Sequence, residues 1–162
     1  MIGIDTFSWF KLIELFSLDW KNLIYEIISK NPIFITHDVK EELDYRFSDE
    51  TDLFKFISVF PRLNISFQKY LDKGFDNADA SLLEYAEIKD YFVITEDHSM
   101  LQEGITSRID IIQLAEFFSV LLTRDIITKK EYYHLIKFLR KMKNITKKKE
   151  KGLLRLRSSF HY

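Results

Sequence analysis

The chain has 162 residues, no cysteine, 46% hydrophobic and 30% charged residues. This implies one folded domain, with an appended tail as the alternative, and excludes disulfides and cysteine metal sites. The start lacks a basic segment followed by an apolar run, and the longest apolar stretch near the end, FFSVLL, is too short to span a bilayer, so a cytoplasmic protein without membrane attachment is expected. The net charge of −1 conceals a division: residues 1–123 carry 11 Lys/Arg against 22 Asp/Glu, and residues 124–162 carry 13 against 3. Opposite signs in two parts of a chain are informative where the total is not.

In chain order, IGID reads as a short strand. FSWFKLIELFS has helical spacing, with Phe10, Ile13, Leu15 and Phe16 near one face. DWKNLIYEIISKN is a second helix, capped by Asp19, with Leu23, Ile27 and Ile28 as its stripe. Asn31-Pro32 ends it, because a residue before proline avoids the helical conformation. PIFIT is the second strand. HDVKEELDYRF is a helix through Val39, Leu43 and Phe47, and DETDLFKFISVF another, with Leu53, Phe54, Ile57 and Phe60 inward. LNISF is expected as a third strand. NADASLLEYAEIKD is a helix whose apolar face is Ala78, Leu82, Leu83 and Ala86.

YFVIT is nearly unbroken in its apolar run, as strands buried on both faces of a parallel sheet are. DHSMLQEG is a short helix ending near Gly104, and IDIIQL the fifth strand. AEFFSVLL and TKKEYYHLIKFLRKM are helices, the second capped by Thr128; KNITKKKEKG reads as a solvated basic run and LLRLRSSFHY as a tail. Strands alternating with helices imply an α/β fold with a mostly parallel sheet.

In such sheets, sites form outside the carboxyl ends of the strands. Asp5 follows IGI, and Asp97 follows VIT after one residue. Glu42, in VKEEL, and Asp79, in NADASLL, lie near the starts of helices at the same edge. Each alone has an ordinary reading: Asp79 and Asp97 suit helix caps, and most of the 25 acids must be solvated surface. Together they would repel one another and protonate unless a cation intervened. Oxygen ligands without cysteine suit one or two Mg²⁺ or Mn²⁺ ions rather than Zn²⁺.

IDTFS, VKEEL, NADASLLEYA and VITED, in this order, resemble the PIN-domain pattern over roughly residues 1–118. The resemblance implies a three-layer α/β/α sandwich with a parallel five-stranded sheet of order 3-2-1-4-5 over residues 1–118. Residues 119–162 would then be a basic helical extension. It implies metal-dependent endoribonuclease activity on single-stranded RNA, with Asp5, Glu42, Asp79 and Asp97 as metal-binding and catalytic acids. Thr6, Ser8 and Thr95 match the family's polar supports. Two settings fit: the toxin of a toxin–antitoxin pair, with an antitoxin partner, or an RNA-processing nuclease. A homodimer is a further partner the resemblance implies. His98-Ser99 stand where many members carry another acid after Asp97, which motivates the alternative of an RNA- or protein-binding scaffold that does not cut.

His98 and His37 read more simply as helix starts than as phosphate contacts, and His134 and His161 as lying outside the site. No HExxH motif or glycine-rich phosphate loop occurs. The opening motif lacks the Asp-x-Asp of haloacid-dehalogenase-type phosphatases. A receiver-like phosphoacceptor would need a lysine that IDIIQLAEFF lacks. In the basic part, Lys137, Arg140, Lys141, Lys143, Lys147, Lys148 and Lys149 are candidate phosphate contacts. Tyr132, Tyr133 and Phe138 are candidates for base stacking, against the simpler reading that Tyr133, Leu135 or Ile136, and Leu139 face a core. A protein partner with an acidic surface is a third reading of the same lysines.

Overall fold

The structure is a computed structural model that describes residues 1–18, 20–47 and 52–155. The chain divides into two compact units, residues 1–112 and 113–162. The division lies ahead of a helix starting at Leu114, where a boundary at 118/119 would have cut through that helix.

The first unit is an α/β fold around a five-stranded, all-parallel sheet. Its strands are β1 (Ile2–Ile4), β2 (Ile33–Thr36), β3 (Ser58–Phe60), β4 (Phe92–Ile94) and β5 (Ile111–Ile112). Their order is β3-β2-β1-β4-β5, as the α/β/α reading expects. Between them run α1 (Thr6–Ser17), α2 (Lys21–Lys30), α3 (His37–Arg46), α4 (Phe67–Asp72), α5 (Asn77–Lys89) and α6 (His98–Ser107). β1 is central and pairs with both β2 and β4, Gly3 lying opposite Phe34 and Val93. A Cβ on Gly3 would stand 2.8 Å from Phe34 Cζ and 3.0 Å from Leu82 Cδ2, so only glycine lets the strand pack this closely. Phe34 is fully buried and touches the rings of Phe60, Tyr85 and Tyr91.

Several expectations are corrected. Residues 52–60 are not one helix: a 3-10 turn at Asp52–Phe56 leads into β3, which pairs with Phe34–Thr36. LNISF is not a strand: residues 63–66 are a loop whose Ile65 is exposed, and Phe67 opens α4. The loop is tied down by Glu84, fully buried on α5, whose carboxylate accepts the backbone amides of Leu63, Asn64, Ile65, Ser66 and Phe67. On α1 the buried apolar face is Trp9, Leu12, Ile13 and Leu15, with Phe10 and Phe16 at its margin. α6 continues past Gly104 to Ser107. The expected cap Asp19, the side chain of Leu53, His161 and the tail beyond 155 lie outside the described residues.

The second unit holds α7 (Leu114–Thr123), α8 (Lys129–Lys141) and α9 (Lys147–Arg155). Thr128 caps α8 as expected and forms a reciprocal capping box with Glu131. The basic run at 143–152 is largely exposed, as expected, but from Lys147 it forms α9, with Glu150 buried. Among the described residues, no helix is long and apolar enough to cross a membrane.

Candidate functional site

Parallel pairing of β1 with β4 puts Ile4 opposite Ile94, so the residues after both strands emerge at one sheet edge. Asp5 is the residue after β1 and is 4% exposed. It caps α1, its Oδ1 accepting the Ser8 amide at 2.7 Å. Its Oδ2 accepts the Thr95 hydroxyl at 2.5 Å. The same Thr95 oxygen accepts the Asp97 amide at 2.9 Å. One buried hydroxyl thereby ties the acid after β1 to the loop after β4. Asp97 caps α6, its Oδ1 accepting the Met100 amide at 2.9 Å. The capping role weighed for Asp97 is therefore real.

Glu42 reaches the same place from α3, which starts directly after β2 under a cap from Thr36. Its Oε2 accepts the Thr6 hydroxyl at 2.5 Å. Asp79 comes from the first turn of α5, whose cap is Asp76; Asp76 Oδ1 accepts the Asp79 amide at 2.9 Å.

Asp5, Glu42, Asp79 and Asp97 line one cleft of 390 Å³. The sequence reading missed Asp76, Glu96, Arg46, Phe7 and Phe10, which also line it. A signal existed for two of them. Asp76 stands three residues before Asp79, the spacing of a cap to its third helical residue. Arg46 follows Glu42 by four residues and so shares its helix face. The Arg46 guanidinium lies over the Phe10 ring, 4.8 Å from its centre.

Burial raises the pKa of Asp5, opposed by hydrogen bonds from Ser8, Thr95 and the Glu96 backbone. Asp79 is pushed up to about 8, first by burial and then by the charges of Asp76, Asp5, Asp97 and Glu42. The cleft therefore concentrates negative charge, with Arg46 the single basic side chain along its wall. Among the described residues, no three His, Asp or Glu side chains converge closely enough to hold a metal ion. The acids surround a cleft rather than a point, as like charges facing one another do.

Of the expected supports, Thr6 holds Glu42, Thr95 holds Asp5, and Ser8 serves Asp5 through its backbone amide. His37 and His98 are exposed first residues of α3 and α6 and do not line the cleft.

In the second unit, three of the seven candidate phosphate-binding cations face acids of that unit. Lys137 Nζ lies 2.6 Å and Arg140 Nε 3.8 Å from the Glu150 carboxylate, and Lys149 Nζ 2.6 Å from Glu116. Lys141, Lys143, Lys147 and Lys148 are exposed. Of the aromatics considered for stacking, Tyr132 is buried, with its hydroxyl 2.9 Å from that of Ser119. Tyr133 is half exposed, not part of the core as the simpler reading had it, and the Lys137 ammonium lies 5.4 Å from its ring centre. Leu135, Ile136 and Leu139 are buried together on α8.

Comparison with protein-family models, with curated proteins and with solved structures returns no match.

Proposed function

We propose that this protein is a Mg²⁺- or Mn²⁺-dependent endoribonuclease of the PIN type, acting at the acid cleft. The observation that carries the reading is that four carboxylates, from four separate segments, line one cleft beside the central strand. The donor chemistry fits a hard cation: carboxylate oxygens line the cleft, with no histidine on its wall and no cysteine in the chain. The charge balance fits too: burial first, and then the charges of Asp76, Asp5, Asp97 and Glu42, push Asp79 up to about 8, and a bound cation would offset both.

A bound Mg²⁺ or Mn²⁺ supplies charge neutralisation at the phosphoryl oxygens and a lowered pKa for a bound water. Asp5 and Asp97 would be the residues to hold such an ion. Glu42 and Asp79 would bind a second one or the waters around the first. Thr95 fixes the Asp5 carboxylate against rotation and Thr6 does the same for Glu42, the orienting role such partners play at metal sites. Arg46 offers the wall's one positive charge to a phosphate.

The spacing of the acids favours a second reading, a scaffold that binds RNA or protein without cutting. One assay separates the two. Purified protein is incubated with labelled single-stranded RNA and Mg²⁺ or Mn²⁺, beside EDTA and Asp5→Asn controls. Cleavage that disappears in both controls, by at least about a hundredfold, is the expected result. Binding without cleavage supports the scaffold, and cleavage persisting in Asp5→Asn overturns the nuclease reading.

A further inference from the structure

A second cavity of 490 Å³ adjoins the acid cleft and shares Glu42, Arg46 and Asp76 with it. Its own wall adds Asp38, Glu41, Tyr45, Asn77 and Ala78. Tyr45 is 91% exposed, the most exposed large hydrophobic side chain among the described residues. An aromatic ring left in water at the mouth of a polar cavity contributes nothing to the core. It offers a flat face to a planar ligand.

The charge of the wall decides which planar ligand. Asp38, already paired with Arg62, and Glu41, Glu42 and Asp76 outnumber Arg46, so this wall favours an uncharged ligand over a second phosphate. A nucleobase carries no charge, and single-stranded RNA is read by stacking on aromatics and hydrogen bonding to base edges. Carboxylates only accept hydrogen bonds, so they select an edge rich in donors. Guanine alone among the RNA bases presents a ring N–H and an amino group side by side, matching the two oxygens of one carboxylate.

We propose that the cavity beside the acid cleft is a subsite for a guanine of single-stranded RNA. Tyr45 is its stacking face, and Glu41 and Asp76 are acceptors for the base edge. The proposal rests on the nuclease reading for its substrate and adds a base preference to it. The shared wall residues place this base next to the phosphate at the acids.

The test is fluorescence anisotropy with short labelled oligoribonucleotides, with Ca²⁺ in place of Mg²⁺. The probes are a uridine oligomer, the same oligomer with one guanosine, and one with inosine there, which lacks the amino group. Tightest binding to the guanosine probe is expected, with inosine intermediate. Tyr45→Ala should weaken guanosine binding by about tenfold, as loss of one stacking contact does, and Tyr45→Phe should stay within about twofold of wild type. Glu41→Gln should narrow the guanosine-over-uridine preference while uridine binding holds.

Equal affinity of Tyr45→Ala and wild type, failure of Tyr45→Phe to match wild type, no preference for guanosine, or no RNA binding at all overturns the subsite. The outcomes separate from those of the nuclease reading. Mg²⁺-dependent cleavage with an unchanged KM in Tyr45→Ala removes the subsite alone. Guanosine-dependent binding through Tyr45 without cleavage removes the nuclease alone.

Discussion

Thr95 is fully buried, and its one hydroxyl donates to Asp5 and accepts from the Asp97 amide. Thr95→Val keeps the shape of the side chain and removes both bonds, stranding a buried carboxylate oxygen. A loss of about 2 kcal/mol in urea unfolding is expected, since an unsatisfied buried group costs its full desolvation. Asp79 gives a pH dependence at the same scale. Its folded pKa of about 8 stands above the ordinary 3.8. Between those values the folded chain keeps a proton that the unfolded chain has released. Without metal, stability therefore falls as pH rises from about 4 to about 8, and Asp79 adds no further loss above that. The upward shift of Asp5 acts in the same direction. Thermal melts in EDTA across this range should show the decline, and Asp79→Asn should flatten it. At this scale Asp5, Asp79 and Asp97 were legible in the sequence because they stand just after a strand or at a helix start, whereas Glu42, a turn into α3, was singled out from Glu41 by the resemblance. Asp76 and Glu96 were harder to see because each stands close to an acid already assigned.

At the scale of elements, the long helices were legible from periodicity: α3 buries Val39 and Leu43, and α5 buries Ala78, Leu82, Leu83 and Ala86, as their spacing predicts. The region 52–67 was not. Its strand is only Ser58–Phe60, and Val59 is partly exposed, so no alternation long enough to recognise exists. What organises the following loop is Glu84, distant in sequence, whose carboxylate gathers five backbone amides. A fully buried glutamate on a helix's apolar side looks like a pattern defect until the loop it serves is known. Glu84→Gln keeps the volume but cannot accept five N–H groups with both ends, since its amide nitrogen donates. A loss of about 3 kcal/mol is expected, with faster amide exchange at 63–67. Recovery of wild-type stability and exchange in that variant would show that the loop stands without the carboxylate. Likewise α9 was hidden by its lysines. Its single acid, Glu150, is buried and meets Lys137 and Arg140 from α8, which makes a helix of a run that composition reads as solvated.

For the whole molecule, the charge division now has an outline. Residues 113–162 form a unit of their own with 13 Lys/Arg against 4 Asp/Glu. Within it, pairing with Glu116 and Glu150 occupies Lys149, Lys137 and Arg140, while Lys147 and Lys148 stand exposed in the first turn of α9. If these two grip RNA phosphates, Lys147→Ala with Lys148→Ala should reduce the slope of log affinity against log salt by about 1.4, or about 0.7 per phosphate contact. An unchanged slope would assign RNA binding to other residues.

The sequence by itself determined the alternation of strands and helices, the parallel sheet and, at its edge, Asp5, Asp79 and Asp97. These are local: each follows from apolar spacing and from what stands next to a strand or helix end. Only the tertiary structure decided where β3 runs, what Glu84 holds, which lysines are already paired, and that Tyr45 stands beside the cleft. Those depend on contacts between residues far apart in the chain, and side-chain periodicity carries no information about which distant partner a group will meet.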